Sequence, residues 1–191
     1  MLRPVAAATL AVALAGCGIN SVPTADEAVK AQWANVQNQY QRRADLIPNL
    51  VATVKGAGAQ EKEILTEVTQ ARASASQVRV SPEQLDDPQA MANYQRAQTG
   101  LTMSLQRLQE AYPELRSQGN YVTLMSQLEG TENRIGVERG KYNEAVQAYN
   151  TRIRTFPDAI GARIFYGAKP KVPFEATTPG AETAPKVDFG G

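Results

Sequence analysis

ADEAVKAQWANVQNQYQRRADLIPNLVATVKGA, residues 25–57, is the stretch that decides the fold. Its apolar residues Val29, Trp33, Val36, Tyr40, Ile47, Leu50 and Val54 recur at alternating steps of four and three, and Arg43 occupies the one missing place. That spacing puts a continuous stripe on one side of an α-helix and leaves the other sides to Gln, Asn and Lys. Pro48 stands inside it with no N–H to donate, and its ring presses on the carbonyl of Ala44. Asp45 is placed to cap a restarted helix, so a kinked helix and two abutting ones are both open here. Gly56 and Gly58 end the element.

The same alternation continues along the chain. From Gln60 to about Val78 the seam is Ile64, Val68, Ala71, Ala75 and Val78, whose alanines permit close packing. Pro82 and Pro88 punctuate the next stretch, with Asp87 as N-cap and Pro88 at the first helical position. Met91, Tyr94, Gln98, Leu101, Leu105, Leu108 and Tyr112 then mark a third helix up to Pro113, with Gln98 its one polar seam residue. Tyr121, Leu124, Leu128, Thr131, Ile135, Tyr142, Tyr149 and Phe156 mark a fourth, stopped by Pro157. Four amphipathic helices with short connections predict an all-α, elongated, antiparallel four-helix bundle. At 1.5 Å per residue the first and last helices each reach about 50 Å. Beyond Pro157, the residues to Glu175 read as an extended segment packing on the bundle. Residues 176–191, rich in Pro, Gly, Thr and Ala, read as a disordered tail.

Ahead of the first helix, Arg3 precedes the apolar run Val5 to Ala15, shorter than the 18 or more residues of a membrane-spanning helix, and the pattern is that of a signal peptide. Leu14-Ala15-Gly16-Cys17 resembles the lipobox of bacterial lipoproteins. The resemblance implies cleavage before Cys17, acylation of its thiol and anchoring in a bilayer. Cys17 is the only cysteine, so no disulfide competes for it. The expected partition is a signal peptide over 1–16, a lipidated linker over 17–24, the bundle over 25–156, the extended segment over 157–175 and the tail. Gly18 lacks the aspartate associated with inner-membrane retention, so in a source with two membranes the outer one is favoured.

Composition removes most enzyme classes. After cleavage about 175 residues remain, enough for one core, and loss of Arg3 leaves 19 basic side chains against 19 acidic, no footprint for nucleic acid. There is no histidine, hence no Ser-His or Cys-His arrangement and no histidine metal ligand. Glycine-rich phosphate loops are missing, and neither cofactor nor metal is expected. Carboxylates, hydroxyls and amines remain.

The string Gln41-Arg42-Arg43-Ala44-Asp45-Leu46-Ile47-Pro48-Asn49-Leu50-Val51, with Glu110-Ala111-Tyr112-Pro113-Glu114-Leu115, Leu128-Glu129-Gly130-Thr131-Glu132-Asn133-Arg134-Ile135 and the repeated Tyr142-Asn143 and Tyr149-Asn150, resembles the LemA family over about residues 30–175. The resemblance implies an antiparallel helical bundle and membrane attachment, without an established enzymatic activity, and with envelope proteases and TPM-domain proteins encoded nearby. Family members usually begin with an uncleaved transmembrane helix, where this chain has Cys17.

Arg43, in the seam near Asp45 and Asn49, together with Thr131, Glu132 and Asn133 of the fourth helix, reads as a buried polar network that fixes helix register, with Glu132 the preferred partner of Arg43. Glu129 and Glu132, three apart on one helix face, are the candidate acid and base of a rival reading as an accessory envelope hydrolase. Arg152, Arg154, Arg163, Lys169 and Lys171 with Phe156, Phe165 and Tyr166 form a weaker signal for anionic headgroups. The reading favoured is a lipid-anchored envelope protein whose bundle is a non-catalytic scaffold for other proteins; a self-assembling, membrane-organising bundle is the third.

Overall fold

The computed structural model describes residues 20–58 and 62–175. The helices are α1 (Ser21–Gly56), α2 (Lys62–Gln77), α3 (Pro88–Ala111), α4 (Gly119–Arg152) and the short α5 (Asp158–Ile164), with 3-10 turns at Pro82–Gln84 and Pro113–Ser117. No strand occurs among the described residues. The first four helices run up, down, up and down. Backbones approach most closely where α1 pairs with α4 and α2 with α3.

Every seam position named for α1 is buried, Arg43 included, and so are Val22, Ala44 and Val51. The helix begins at Ser21, so Ser21–Thr24 belong to α1 and not to a linker, because Val22 buries its side chain in the core. Pro48 neither splits nor ends the helix. The carbonyl it deprives of a partner, that of Ala44, accepts a 2.8 Å hydrogen bond from Arg72 Nε of α2. An unpaired buried carbonyl is costly, and a guanidinium from a neighbouring helix satisfies it. At the other end of α1, Gly58 takes φ +88° and closes the turn with its N–H on the Lys55 carbonyl.

α3 follows its expected seam throughout, and the Asp87 side chain accepts from the N–H groups of Gln89 and Ala90 at its start. Two seams need correcting. In α2 the buried residues are Leu65, Val68 and Ala75, while Ile64 and Ala71 sit at the margin of the core. In α4 the helix ends at Arg152, Val146 joins the core, and Phe156 is 82% exposed. The segment 157–175 is not extended throughout either: residues 158–164 are helical, and Ala162 buries one side of that turn.

α2 has 16 residues against 36 in α1, about 24 Å against 54 Å, so it covers only half of the rod. Around Ile47, Leu50, Val54, Leu101, Leu108 and Leu128 the core is enclosed by four helices. Around Trp33, Met91, Ile135 and Tyr142 the fourth side is closed by Val80 and Leu85 of the α2–α3 connection and by Phe174 beyond α5. Trp33 centres this second core, with ring centroids of Tyr94, Tyr142 and Phe174 at 5.2, 5.5 and 5.8 Å and its Nε1 donating to the Val80 carbonyl at 3.0 Å.

Candidate functional site

Between the two cores lies a polar layer. Arg43 is 2% exposed, and its Nη1 donates to Glu132 Oε2 at 2.8 Å and Thr102 Oγ1 at 3.0 Å. Its Nη2 donates to the side-chain oxygen of Gln98 at 2.8 Å and to the Gln98 carbonyl at 3.2 Å. Gln98 in turn donates from Nε2 to the Ala75 carbonyl at 3.1 Å. One guanidinium thereby connects α1 to α3 and α4 directly, and to α2 through Gln98. Four of its five N–H groups are used, Nε has no acceptor, and the cation stands 5.1 Å from the Tyr40 ring centroid. The layer is asymmetric in solvation, since the Glu132 side chain is 51% exposed.

The remaining residues of the expected network are elsewhere. Asp45 is exposed and accepts from Gln41 Nε2 on its own helix, and Asn49 and Asn133 are exposed as well. Thr131 is buried but donates to the Leu128 carbonyl one turn back. Asp45, Asn49 and Asn133 miss the layer because their positions fall beside the stripe, one or two residues from the seam positions Arg43, Ile47, Leu50 and Thr131. The partners that matter, Gln98 and Thr102, come from α3. Gln98 carried a signal as the one polar seam residue there, and Thr102 carried none.

A second polar device holds the segment that follows α5. Asn143 Nδ2 donates to the Phe174 carbonyl at 2.9 Å, and the Phe174 N–H donates to Asn143 Oδ1 at 2.8 Å. Asn150 does the same with the carbonyl and N–H of Lys171, both at 2.8 Å. Tyr142 donates its hydroxyl to the Val172 carbonyl, and the Val172 N–H bonds the Leu85 carbonyl. Pro173 has no N–H to satisfy. The register follows from geometry: seven helical residues span about 10.5 Å and three extended residues about 10 Å, so two asparagines two turns apart meet Lys171 and Phe174. Each carboxamide presents one donor and one acceptor, as a neighbouring strand would.

The model of the LemA family matches residues 32–189. The chain belongs to the LemA family. Among curated proteins none matches it. Several residues of the stretches that resemble the family hold the bundle together in this chain: Arg43 of α1 with Glu132 of α4, Ala44 and Pro48 through Arg72, and the two Tyr-Asn pairs through residues 171–174. The asparagines of those pairs have the backbone of residues 171–174 as their partner.

LemA is not known as an enzyme family. The two carboxylates considered for acid–base chemistry do not share a cleft. Glu129 lines a surface depression with Gln109, Arg116 and Tyr121, whereas Glu132 lines another with Arg43, Gln95 and Arg139. Among the described residues no three His, Cys, Asp or Glu side chains are grouped to hold a metal ion, and no helix is long and apolar enough to cross a membrane. The expected signal peptide over 1–16, Cys17 and the tail over 176–191 lie outside the described residues. The groups with displaced pKa values are consistent with packing: burial raises Tyr94 and Tyr142 far above the ordinary phenol range, and Lys30 is raised mainly by its hydrogen bonds to Asp26 and Glu27.

Proposed function

We propose that this LemA-family protein is a cell-envelope lipoprotein, acylated at Cys17, whose rod is a non-catalytic scaffold that binds other envelope proteins. The observation that carries the reading is the polar layer. The buried charge of the core is committed to Glu132, Gln98 and Thr102 and so to register, which leaves the long polar faces of the rod for contact with partners. The anchor is supported by the lipobox-like Leu14-Ala15-Gly16-Cys17, and a position facing the periplasm or the exterior follows from export.

Two experiments test the two halves. Cys17→Ser is expected to abolish incorporation of labelled palmitate and processing by the lipoprotein-specific peptidase; continued labelling refutes the anchor. Crosslinking in intact cells followed by mass spectrometry is expected to attach defined envelope proteins to side chains along the rod. A chain that crosslinks only to itself argues for self-assembly instead. A hydrolytic activity of the purified protein, lost in Glu129→Gln with Glu132→Gln, overturns the non-catalytic reading.

A further inference from the structure

Among the described residues the exposed large apolar side chains gather at α5 and its flanks, whereas Met103, Val122 and Val137 stand scattered along the rod. Ile160 and Ile164 lie one turn apart on one face of α5, opposite the buried Ala162. Phe156 just before the helix is 82% exposed and Phe165 just after it 66%. A concentration of large exposed apolar groups of this kind marks a surface that meets something other than water.

The place of this face in the molecule is set by Arg152. Its Nη1 donates to the Ser21 carbonyl at 3.2 Å and its Nε lies 3.6 Å from Asp158 Oδ2. The start of α5 therefore sits beside the start of α1. Cys17 is four residues before Ser21, and four residues reach at most about 14 Å whatever their conformation. Acyl chains on Cys17 would bring this end of the rod to the bilayer surface. Of the five basic side chains in residues 152–171, Arg152, Lys169 and Lys171 are paired with Asp158, Asp86 and Asp26, and the charge offered to anionic lipid is that of the other two. Arg154 and Arg163 are exposed beside the apolar face.

We infer that α5 with Phe156 and Phe165 is a membrane-contacting foot, its apolar side chains entering the headgroup boundary of an anionic bilayer next to the acylated Cys17. The inference rests on the anchor proposed above for the place of the bilayer. A short amphipathic turn with basic flanks gains from both apolar burial and attraction to anionic lipid, and arginines extend their guanidinium groups to the phosphates from below the surface. With a lipid at Cys17 and the foot at α5, the rod has two points of attachment at one end. It then stands off the membrane, presenting the turn at Pro113–Ser117 to the envelope space.

The test uses the full chain in vesicles of phosphatidylglycerol and phosphatidylcholine whose acyl chains are brominated. Phe165→Trp places an indole in the foot, and Val122→Trp places one about 45 Å away along α4. Both positions are exposed, and the native Trp33 is buried, so the background is constant. Expected is loss of the introduced indole's emission at position 165 in brominated against unbrominated vesicles, with no loss at position 122. Unchanged emission at 165 overturns the inference and leaves the apolar face to a protein partner. Equal loss at both positions overturns it too, since the rod then lies flat. The mass of the Cys17 peptide, read on the same sample, reports the anchor separately: an acylated chain without quenching refutes the foot alone, and a quenched chain without acylation refutes the anchor alone.

Discussion

Asn150 and Lys171 exchange two hydrogen bonds of 2.8 Å, the carboxamide of one lying against the backbone of the other as a β-strand would. Asn143 repeats the arrangement at Phe174. Asn143→Ala is expected to leave the Phe174 N–H and carbonyl without protein partners and to destabilise by about 1–3 kcal/mol. Hydrogen exchange at the Lys171 and Phe174 amides, measured alongside the urea midpoint, checks it. Slow exchange retained at Phe174 in the variant would show that the asparagine is dispensable there.

The Ala44 carbonyl connects Pro48 to Arg72. Arg72→Leu is expected to cost about 1–3 kcal/mol, because it orphans that carbonyl. In a Pro48→Ala background the residue at 48 supplies its own N–H, and the same replacement of Arg72 is expected to cost distinctly less. The coupling is read from four denaturation curves. Equal costs in the two backgrounds would mean that Arg72 contributes only through its packing.

The Arg43–Glu132 pair is uneven, and so are its expected variants. Arg43→Met leaves a carboxylate that is already half in water, together with an unmatched Gln98 amide, and is expected to cost about 1–3 kcal/mol. Glu132→Ala leaves a guanidinium deep in the bundle with neutral acceptors only, and is expected to cost about 3 kcal/mol, the low end for an unpaired buried charge. The double variant should lose less than the sum. If Arg43→Met proves the more damaging of the two, solvation does not govern the layer.

Neighbouring residues in α2 provide a test of its orientation. Leu65 is buried, while Ile64 lies at the margin of the core. Leu65→Ala is expected to cost about 2–5 kcal/mol, as large-to-small core changes do, and Ile64→Ala a smaller amount. Reversed midpoints would place the other stripe of α2 inward.

The four seams were legible because a heptad stripe is a local property: residues three and four apart share a helix face whatever lies opposite. For the same reason Asp87 could be placed as a cap, and Arg43 could be identified as the odd residue of its stripe. Where the stripe is written in alanine, as in α2, the side chains are too small to fix its rotation, and Leu65 took the place expected of Ile64. At the end of α4 periodicity alone carried the helix to Phe156. The chain instead turns at Ile153 and tucks Ala162 under α1, which lifts Phe156 into solvent.

By itself, then, the sequence determined that this chain is a bundle of four helices with a charge in its seam, since each stripe needs only its own residues. The tertiary structure alone decided what satisfies the polar groups those stripes bury. Arg72 reaches a carbonyl 28 residues away and Arg43 a carboxylate 89 residues away. Asn143 meets a backbone 31 residues further along. Such pairings depend on which faces the helices turn toward one another, and hydrogen-bond chemistry permits too many partners for spacing along the chain to choose among them.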